Sequence, residues 1–450
     1  MLLIHKWRYN TMITKKFTSM TCLSILLLAT LSFAQVDLKK ERGGYSATFI
    51  EKFDVSPGGK LVMKELIGDV TIIGGSSGQV ELIQNFFLDV DTEKEAESAF
   101  QKYRADVTKQ GNTVRVVGPE RSRRRYVDIS YEVSVPQKFN VDVETMGGEI
   151  TLKNLIGEAV LETLGGDIEV KDVVGDQEFS TAGGEITASK VEGSVLMETS
   201  GGDLELKDAR KGVFRLKTSG GEIVLLGVQG NVDASTSGGD IEARNVTGDL
   251  DLSTSGGDIS LQEVVGKSHS AGTSGGDVEA RTVTGDVELK TSGGDVEAFG
   301  IQGNFYGRTS GGDIEVNRVS GDAEVSTAGG SLELESVGGR LQGKTSGGDI
   351  RARVDKGMKL KSPIKLSTSG GEIILKLPSD VKATIEAVIR IDDPFADYTV
   401  RSDFKLKIVE EEAKGRRGRR TIYATGDING GGPLIDLSTA EGDIIIEKTN

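Results

Sequence analysis

Cysteine, tryptophan and histidine are nearly absent from this chain. Its 450 residues include one cysteine, one tryptophan and two histidines. Cys22, Trp7 and His5 all lie within the first 34 residues, so the rest of the chain keeps only His269 from this group. No disulfide and no cysteine- or histidine-based metal site can be built from a single histidine. Stability must therefore come from packing.

A long apolar run is also missing. The longest run, Leu23–Leu31, is too short for a membrane-spanning helix, which needs about 20 residues. It follows Lys15 and Lys16 and precedes Ser32-Phe33-Ala34, the pattern of a cleavable export signal. We therefore predict a signal peptide over residues 1–34, no integral membrane span, and a mature protein in the periplasm, at the cell surface or secreted.

Basic residues are fewer than acidic residues in this chain. The net charge of −15 includes Lys6, Arg8, Lys15 and Lys16 of the signal, which contains no acidic residue, so the mature chain carries −19. Such an acidic chain is a poor partner for nucleic acid, whose phosphates attract basic proteins. We predict no nucleic-acid partner.

What the chain has in abundance is glycine, in a regular repeat. Thirteen Gly-Gly pairs recur from Gly147 to Gly370 at spacings of 18 or 19 residues, with one final step of 23. Each unit reads like Thr291-Ser-Gly-Gly-Asp-Val-Glu-Ala298 and contains two or three short runs with alternating polarity. Alternation with a period of two predicts strands, and Gly-Gly every 18 residues excludes a helix pair. We expect the Gly-Gly pair to supply a corner with positive φ.

The alternation predicts which side chains are buried. The position after each Gly-Gly-acid triplet is always apolar, and a further apolar column precedes the opposite turn. That second column holds Val173, Val191, Val228, Val246, Val264, Val283, Ile301, Val319 and Val337. One unit cannot bury its apolar face alone, so the units must stack. We predict an all-β fold, a parallel β-solenoid of 18–19-residue coils, with inward threonines whose hydroxyls bond to turn backbone.

The two ends depart from the repeat. We predict an N-terminal coil and α+β cap over residues 35–140, the repeat array over 141–377, and a C-terminal β cap with a closing coil over 378–450. The N-terminal cap should contain a helix from Thr92 to Thr108, begun by a capping box of Thr92 and Glu95 and covering the end of the core. Leu434–Ile446 should form the closing coil. Capped ends predict a monomer.

An acidic residue follows 12 of the 13 Gly-Gly pairs, Ser331 being the exception. Stacking would place like charges about 4.8 Å apart, where they repel by roughly 0.9 kcal/mol even in water. We predict that turn N–H groups bond to these carboxylates and offset the repulsion. The alternative is divalent-cation binding at three pairs: Asp277 with Glu279, Asp295 with Glu297, and Asp313 with Glu315. A flat row without a loop to wrap the ion suits calcium poorly, so we predict no metal site.

Catalytic residues are not evident. His269 lies in Lys267-Ser-His-Ser270 without a nucleophile or metal ligands at a suitable spacing, and we predict it to be a surface residue on a bulged coil. Carboxylate pairs recur in every coil, whereas an active site should break the pattern in one place. Aromatic residues for sugar stacking are few in the array: Phe214, Phe299, Phe305 and Tyr306. We predict no catalytic and no cofactor-binding residues.

Two basic clusters contrast with the acidic array. They are Arg121-Ser-Arg-Arg-Arg125 and Lys414-Gly-Arg-Arg-Gly-Arg-Arg420, and each lies between strand-like runs. We predict that both are solvated hairpin loops. The alternative is contact with an acidic polysaccharide or with the acidic column of another copy.

Three features together resemble a known family. They are the repeated Thr-Ser-Gly-Gly-Asp-Ile-Glu, the strand Val133-Ser-Val-Pro136 before the array, and the ending from Gly432 to Glu447. The chain resembles the putative-adhesin domain family of exported bacterial proteins, over nearly all of its mature length. The resemblance implies a β-solenoid with an adhesive or envelope role and no established catalytic residues.

These observations lead to one functional prediction with two alternatives. We predict an exported, non-catalytic scaffold or adhesin-like protein of the bacterial cell envelope, whose partner is an envelope protein or a polysaccharide. The first alternative is an envelope filament assembled end to end. The second is a polysaccharide-active β-helix enzyme.

Overall fold

A computed structural model describes residues 38–76, 78–119, 127–357, 360–393, 395–412 and 420–449. The predicted signal peptide and most of both basic clusters lie outside these residues. The N-terminal elements are β1 (Lys39–Glu41), β2 (Gly44–Asp54), β3 (Gly59–Leu66), β4 (Asp69–Ser76), β5 (Gln79–Leu88), α1 (Glu93–Tyr103), β6 (Asp106–Gln110), β7 (Thr113–Val117), β8 (Val127–Pro136) and β9 (Phe139–Thr145).

The described residues of the repeat array form 23 strands. They are β10 (Ile150–Ile156), β11 (Ala159–Thr163), β12 (Ile168–Val174), β13 (Gln177–Thr181), β14 (Ile186–Glu192), β15 (Val195–Glu198), β16 (Leu204–Lys207), β17 (Arg210–Lys217), β18 (Ile223–Leu226), β19 (Gln229–Ser235), β20 (Ile241–Arg244), β21 (Leu250–Ser253), β22 (Ile259–Gly272), β23 (Val278–Lys290), β24 (Val296–Gln302), β25 (Phe305–Arg308), β26 (Ile314–Val319), β27 (Ala323–Ser326), β28 (Leu332–Val337), β29 (Leu341–Lys344), β30 (Ile350–Arg353), β31 (Ile364–Ser367) and β32 (Ile373–Pro378). The C-terminal strands are β33 (Ala383–Ile391), β34 (Val400–Ser402), β35 (Lys407–Glu412), β36 (Arg420–Ile428), β37 (Leu434–Thr439) and β38 (Ile444–Thr449).

Neighbouring coils pair in parallel with the register of the sequence repeat. Ile150 pairs with Ile168, and Ile168 pairs with Ile186, so equivalent residues of successive coils are hydrogen-bonded neighbours. On the other strand of the coil, Leu161 pairs with Phe179 in the same way. The predicted all-β, parallel β-solenoid is confirmed, with two strands in most coils.

The interior consists of the predicted apolar columns. The residue after each Gly-Gly-acid triplet, from Ile150 to Ile373, is at most 1% exposed. Burying such a side chain contributes about 1.5–3 kcal/mol, which a single coil could not obtain alone. The second column is also buried, except at Val337, where the neighbouring Ser336 is buried and bonds to Asp355.

The inward threonines hold the Gly-Gly corners together. Thr163 Oγ1 donates to the carbonyl of Gly148 in the preceding coil at 3.0 Å and accepts from the N–H of Gly166 at 3.3 Å. The same two bonds recur at Thr291 and Thr368. These bonds satisfy buried hydroxyl and backbone groups at once, as predicted.

The reason for glycine at the Gly-Gly corner differs from the predicted one. No glycine of the thirteen pairs has φ in the left-handed region, so the expectation of positive φ is wrong. The constraint is the spacing between coils: a Cβ at Gly166 would lie 2.0 Å from the carbonyl oxygen of Gly148, whereas one at Gly165 would meet nothing within 4 Å. The left-handed residue comes instead between the two halves of the first strand, as at Asn154 (φ 61°) and Asp172 (φ 57°).

The order of coils at both ends differs from the order of the chain. The coil of β3 and β4 lies between β7 and β8 on one side and β9 and β10 on the other. At the opposite end, β37 lies between β31 and β33, and β38 lies between β32 and β34. The segment Leu434–Ile446, predicted as the closing coil, is therefore covered by another coil, because Ala383–Ile391 and Val400–Ser402 supply the residues that pack over it.

Antiparallel strands complete each end. At the N-terminal end, β8 pairs with β5, β5 with β2, and β2 with β1. At the C-terminal end, β33 pairs with β36, and β36 with β35. A change from parallel to antiparallel pairing limits further stacking of coils, which protects the ends of a solenoid.

The predicted helix is shorter than expected. It spans Glu93–Tyr103, with Thr92 as N-cap and the predicted capping box to Glu95. Asp106–Gln110, which the prediction assigned largely to the helix, forms a strand instead, because it pairs antiparallel with β7 through a turn at Gly111 (φ 59°). Phe100 of the helix packs edge-on against Phe86 of β5 at 5.1 Å between ring centroids.

Candidate interaction surface

The acidic column beside the Gly-Gly corners forms a hydrogen-bonded ladder. The N–H of Asp295 donates to Asp277 Oδ1 at 2.7 Å, and the N–H of Asp313 donates to Asp295 Oδ1 at 2.7 Å. The predicted bonds from turn N–H groups are confirmed, and the donor belongs to the next coil. Ser331 continues the ladder, since it receives the N–H of Asp349 on its hydroxyl at 3.3 Å. These bonds offset the repulsion of the aligned carboxylates.

A second ladder at the opposite corner was not predicted. The N–H of Asn304 donates to Asp286 Oδ1 at 2.9 Å, and the N–H of Asp322 donates to Asn304 Oδ1 at 3.0 Å. Asp249 accepts from the N–H groups of Lys267 and Ser268, which lowers the pKa of its carboxyl group. The recurring Gly-Asp and Gly-Asn dipeptides after the second apolar column were a signal that could have identified this ladder.

Many coils carry charged side chains on the face made by their first strands. We call this the first face; its outward residues include Glu279, Arg281 and Glu297. Arg281 pairs with Glu279 and with Glu297, to which its guanidinium lies at 3.2 Å. Further along the stack, burial and the carboxylates of Glu333 and Glu297 raise the pKa of Glu315.

The two carboxylates of each predicted cation pair lie in different environments in the structure. Asp277, Asp295 and Asp313 accept ladder hydrogen bonds. Their partners lie on the first face, where Glu279 and Glu297 bind Arg281. Within the described part of the chain, no group of three or more His, Cys, Asp or Glu side chains is placed to hold a metal ion.

His269 is a core residue, so the prediction of a surface position is wrong. It is 1% exposed and stands in an inward column between Leu250 and Val287. The ring Nε2 lies 3.1 Å from the carbonyl oxygen of Thr284, while Nδ1 is buried without a hydrogen-bond partner in the described part of the chain. Burial lowers the pKa of the imidazole. The ring is accommodated because Gly266 has no side chain: a Cβ there would lie 2.6 Å from His269 Cε1.

Of the two basic clusters, only Arg420 is described. Its guanidinium pairs with Glu410 at 3.1 Å and donates to the carbonyl of Ala396. The remaining basic residues of both clusters lie outside the described residues, so their role as hairpin loops stays a prediction.

The aromatic residues of the array divide between core and surface. Phe214 and Phe305 are buried, at 0% and 2% exposure. Phe299 faces outward on the first face beneath the guanidinium of Arg281, at 4.4 Å from the ring centroid. Tyr306 faces outward on the other strand of the same coil, and Lys290 Nζ lies 5.6 Å from its ring centroid. The coil over residues 293–310 thus carries an aromatic side chain on each face.

The stacked parallel coils and their paired ladders define a β-solenoid repeat protein. The family model described as Toastrack DUF4097 matches residues 69–264 and 247–447. The chain belongs to this family, which confirms the family resemblance of the repeats. No curated protein matches the chain. No helix among the described residues is long and apolar enough to span a membrane.

Three solved structures are similar to this chain. A putative cell adhesion protein from Clostridium sporogenes is 9% identical over 89% of this chain and 100% of that chain, with a TM-score of 0.16. A putative adhesin from Parabacteroides distasonis is 13% identical over 68% and 96%, with a TM-score of 0.25. A putative lipid binding protein from the same organism is 12% identical over 66% and 96%, with a TM-score of 0.21.

Proposed function

We propose that this protein is an exported, non-catalytic interaction scaffold of the bacterial cell envelope and acts as a monomer. The observation that carries the proposal is that the polar groups at the corners and those on the outer faces have different contacts. Threonines and aspartates at the corners are bonded within the stack, as Thr291 and Asp295 illustrate. The outward side chains of the two faces pair with one another, as Arg281 and Glu297 do, and remain exposed for contact with a partner.

Export and an adhesive role are supported by the signal-like sequence before residue 35 and by the family resemblance. The monomeric state is supported by the antiparallel strands at both ends, which do not continue the parallel pairing of the coils. The partner is an envelope protein or an envelope polysaccharide.

Co-sedimentation with envelope fragments tests the proposal. A protein spanning residues 35–450 should pellet with fragments from the source bacterium. A second variant carries Ser or Gln at the basic residues of the two clusters, with Arg420 kept because it pairs with Glu410. Loss of pelleting in this variant alone would place the contact at the clusters, and retention would place it on the faces of the array. A wild-type protein that stays in the supernatant would contradict the proposed function.

A further inference from the structure

One coil breaks the repeat on the face formed by the second strands. In the coil of β25, Tyr306 stands in an outward row between Glu288 and Glu324 of the neighbouring coils. The inward positions beside it are Phe305 and Gly307, where the adjacent coils have aliphatic pairs such as Val287 and Leu289. Among the second strands of the array, Tyr306 is the one outward aromatic side chain, which marks its coil as a candidate for a specific task.

The inward neighbours of Tyr306 are closely packed. A Cβ at Gly307 would lie 2.8 Å from Cε1 of Phe305, so the phenyl ring occupies the space that a side chain at 307 would need. Phe305 is 2% exposed and lies on the strand that holds Tyr306. The tyrosine is therefore presented from a packed, hydrogen-bonded strand, the kind of rigid support that a binding site requires.

Two surface depressions meet at Tyr306. The first, about 320 Å³, is lined at the strand starts by residues that include Asp286 and Asp322, and the second, about 340 Å³, is lined at the strand ends by residues that include Arg308. Tyr306, Glu324 and Gln342 line both depressions. A ligand that crosses the face along the strand direction would thus pass over the tyrosine ring.

The polar groups around the ring suit an uncharged ligand. Glu288 pairs with Lys290, and Asp322 pairs with Arg340 at 3.0 Å, so part of the charge is neutralised in place. A second set of side chains has no ion pair or side-chain hydrogen bond with any described residue: Arg308, Glu324, Gln342 and Lys344. This set offers both donors and acceptors, with two positive charges and one negative. Across both depressions the lining includes four acidic and three basic side chains, so neither sign of charge dominates.

We propose that the surface formed by Tyr306, Arg308, Glu324, Gln342 and Lys344 binds a neutral glycan. An aromatic ring can stack on the apolar C–H face of a sugar, while the surrounding donors and acceptors bond to its hydroxyl groups. The mixed charge disfavours a strongly anionic chain, for which a surface of one positive sign would be expected. This inference rests on the proposed function and names the class of partner.

Calorimetric titration with defined oligosaccharides tests the inference. The probes are cellohexaose and the N-acetylglucosamine hexamer as neutral glycans, with a galacturonic acid hexamer as the anionic comparison. Wild type should bind a neutral probe, and Tyr306→Ala should weaken that binding about tenfold through loss of stacking. Tyr306→Phe should retain it. Phe299→Ala is the matched control, because it removes the aromatic ring from the first face of the same coil and should leave binding unchanged.

Three results would overturn the inference: no binding of either neutral probe, equal effects of Tyr306→Ala and Phe299→Ala, or tighter binding of the anionic hexamer. The same preparations are also sedimented with envelope fragments. A wild-type protein that pellets with the envelope but binds no neutral probe refutes only the glycan site. A protein that fails to pellet refutes the scaffold function itself.

Discussion

At the scale of single residues, the same side-chain types occupy equivalent positions and perform equivalent tasks in coil after coil. An inward threonine and a corner aspartate each satisfy backbone groups of a neighbouring coil, as Thr163 and Asp277 do. Because an unsatisfied buried polar group costs about 1–3 kcal/mol, these bonds are as necessary to the stack as the apolar columns. His269 is one polar core residue that departs from this arrangement, since its Nδ1 is buried without a hydrogen-bond partner among the described residues.

Replacing His269 with leucine should remove one source of acid sensitivity. Burial holds the folded-state pKa of this imidazole below the unfolded value of 6.5, although the hydrogen bond to the Thr284 backbone and the nearby Asp249 carboxylate oppose the shift. The unfolded chain therefore takes up a proton that the folded chain resists, and folding stability is lost as the pH falls below about 6.5. Above that pH both states are neutral and this contribution to pH dependence disappears.

Chemical denaturation of wild type and His269→Leu at pH 7.5 and pH 5 measures the effect. The difference in unfolding free energy between the two proteins should shift in favour of the variant at pH 5. Carboxylates shared by both proteins cancel in this comparison. A difference that does not change with pH would show that His269 does not titrate differently in the folded state.

At the scale of the element, the coil depends on close approach of backbones at its corner. The second glycine of each pair lies against the carbonyl of the preceding coil, as Gly166 does. The first glycine has more room, and at Gly165 a Cβ would meet nothing within 4 Å. The corner is therefore set by the distance between coils. The sequence analysis therefore identified glycine correctly as the corner residue, but it attributed this glycine wrongly to a positive φ.

Substitution at the two positions of one pair should have very different effects. Gly166→Ala would place its Cβ 2.0 Å from the Gly148 oxygen, so the coils must separate locally and stability should fall by roughly 1–3 kcal/mol. Gly165→Ala is the matched control, since its Cβ would meet nothing within 4 Å. Thermal unfolding compares the two, and equal losses of stability would contradict the steric explanation.

Sequence periodicity predicted the array well because alternation and burial have the same period in every coil. The column from Ile150 to Ile373 and the inward threonines could be identified directly from it. The ends were harder to predict, because β3, β4, β37 and β38 carry the same pattern as any other coil. That pattern does not specify which neighbour a coil stacks on. The difference between stacking order and chain order at each end therefore became evident only from the structure.

The surface was predictable in part. The acidic ladder followed from the recurring Gly-Gly-Asp, whereas His269 was misplaced because residue type favoured the surface over its inward register with Leu250. Tyr306 and Phe299 stood out as rare aromatics, but the two depressions that meet at Tyr306 depend on the stacking of five coils. Such a shape arises between strands and leaves no signal within any one of them.

At the scale of the whole molecule, the coils are structurally equivalent units, and the proposed partner binds at one local surface of the stack. Residues 238–255 form one coil, and their removal would join equivalent positions of its neighbours, because the flanking Gly-Gly pairs keep their register. Removing only 238–246 would leave half a coil and bring non-equivalent strands together. In a repeat stack, loss of one complete unit should preserve the interfaces between the others.

The most direct test is co-sedimentation with envelope fragments of three proteins spanning residues 35–450: wild type, the variant lacking residues 238–255, and the variant lacking residues 238–246. Circular dichroism and thermal unfolding establish which of them are folded. We expect the complete-coil deletion to fold and to pellet as wild type does, since the Tyr306 surface remains intact, and the half-coil deletion to lose cooperative unfolding. Failure of the folded wild-type protein to pellet, or of the folded complete-coil deletion alone, would contradict a stack of equivalent coils that presents a local interaction surface.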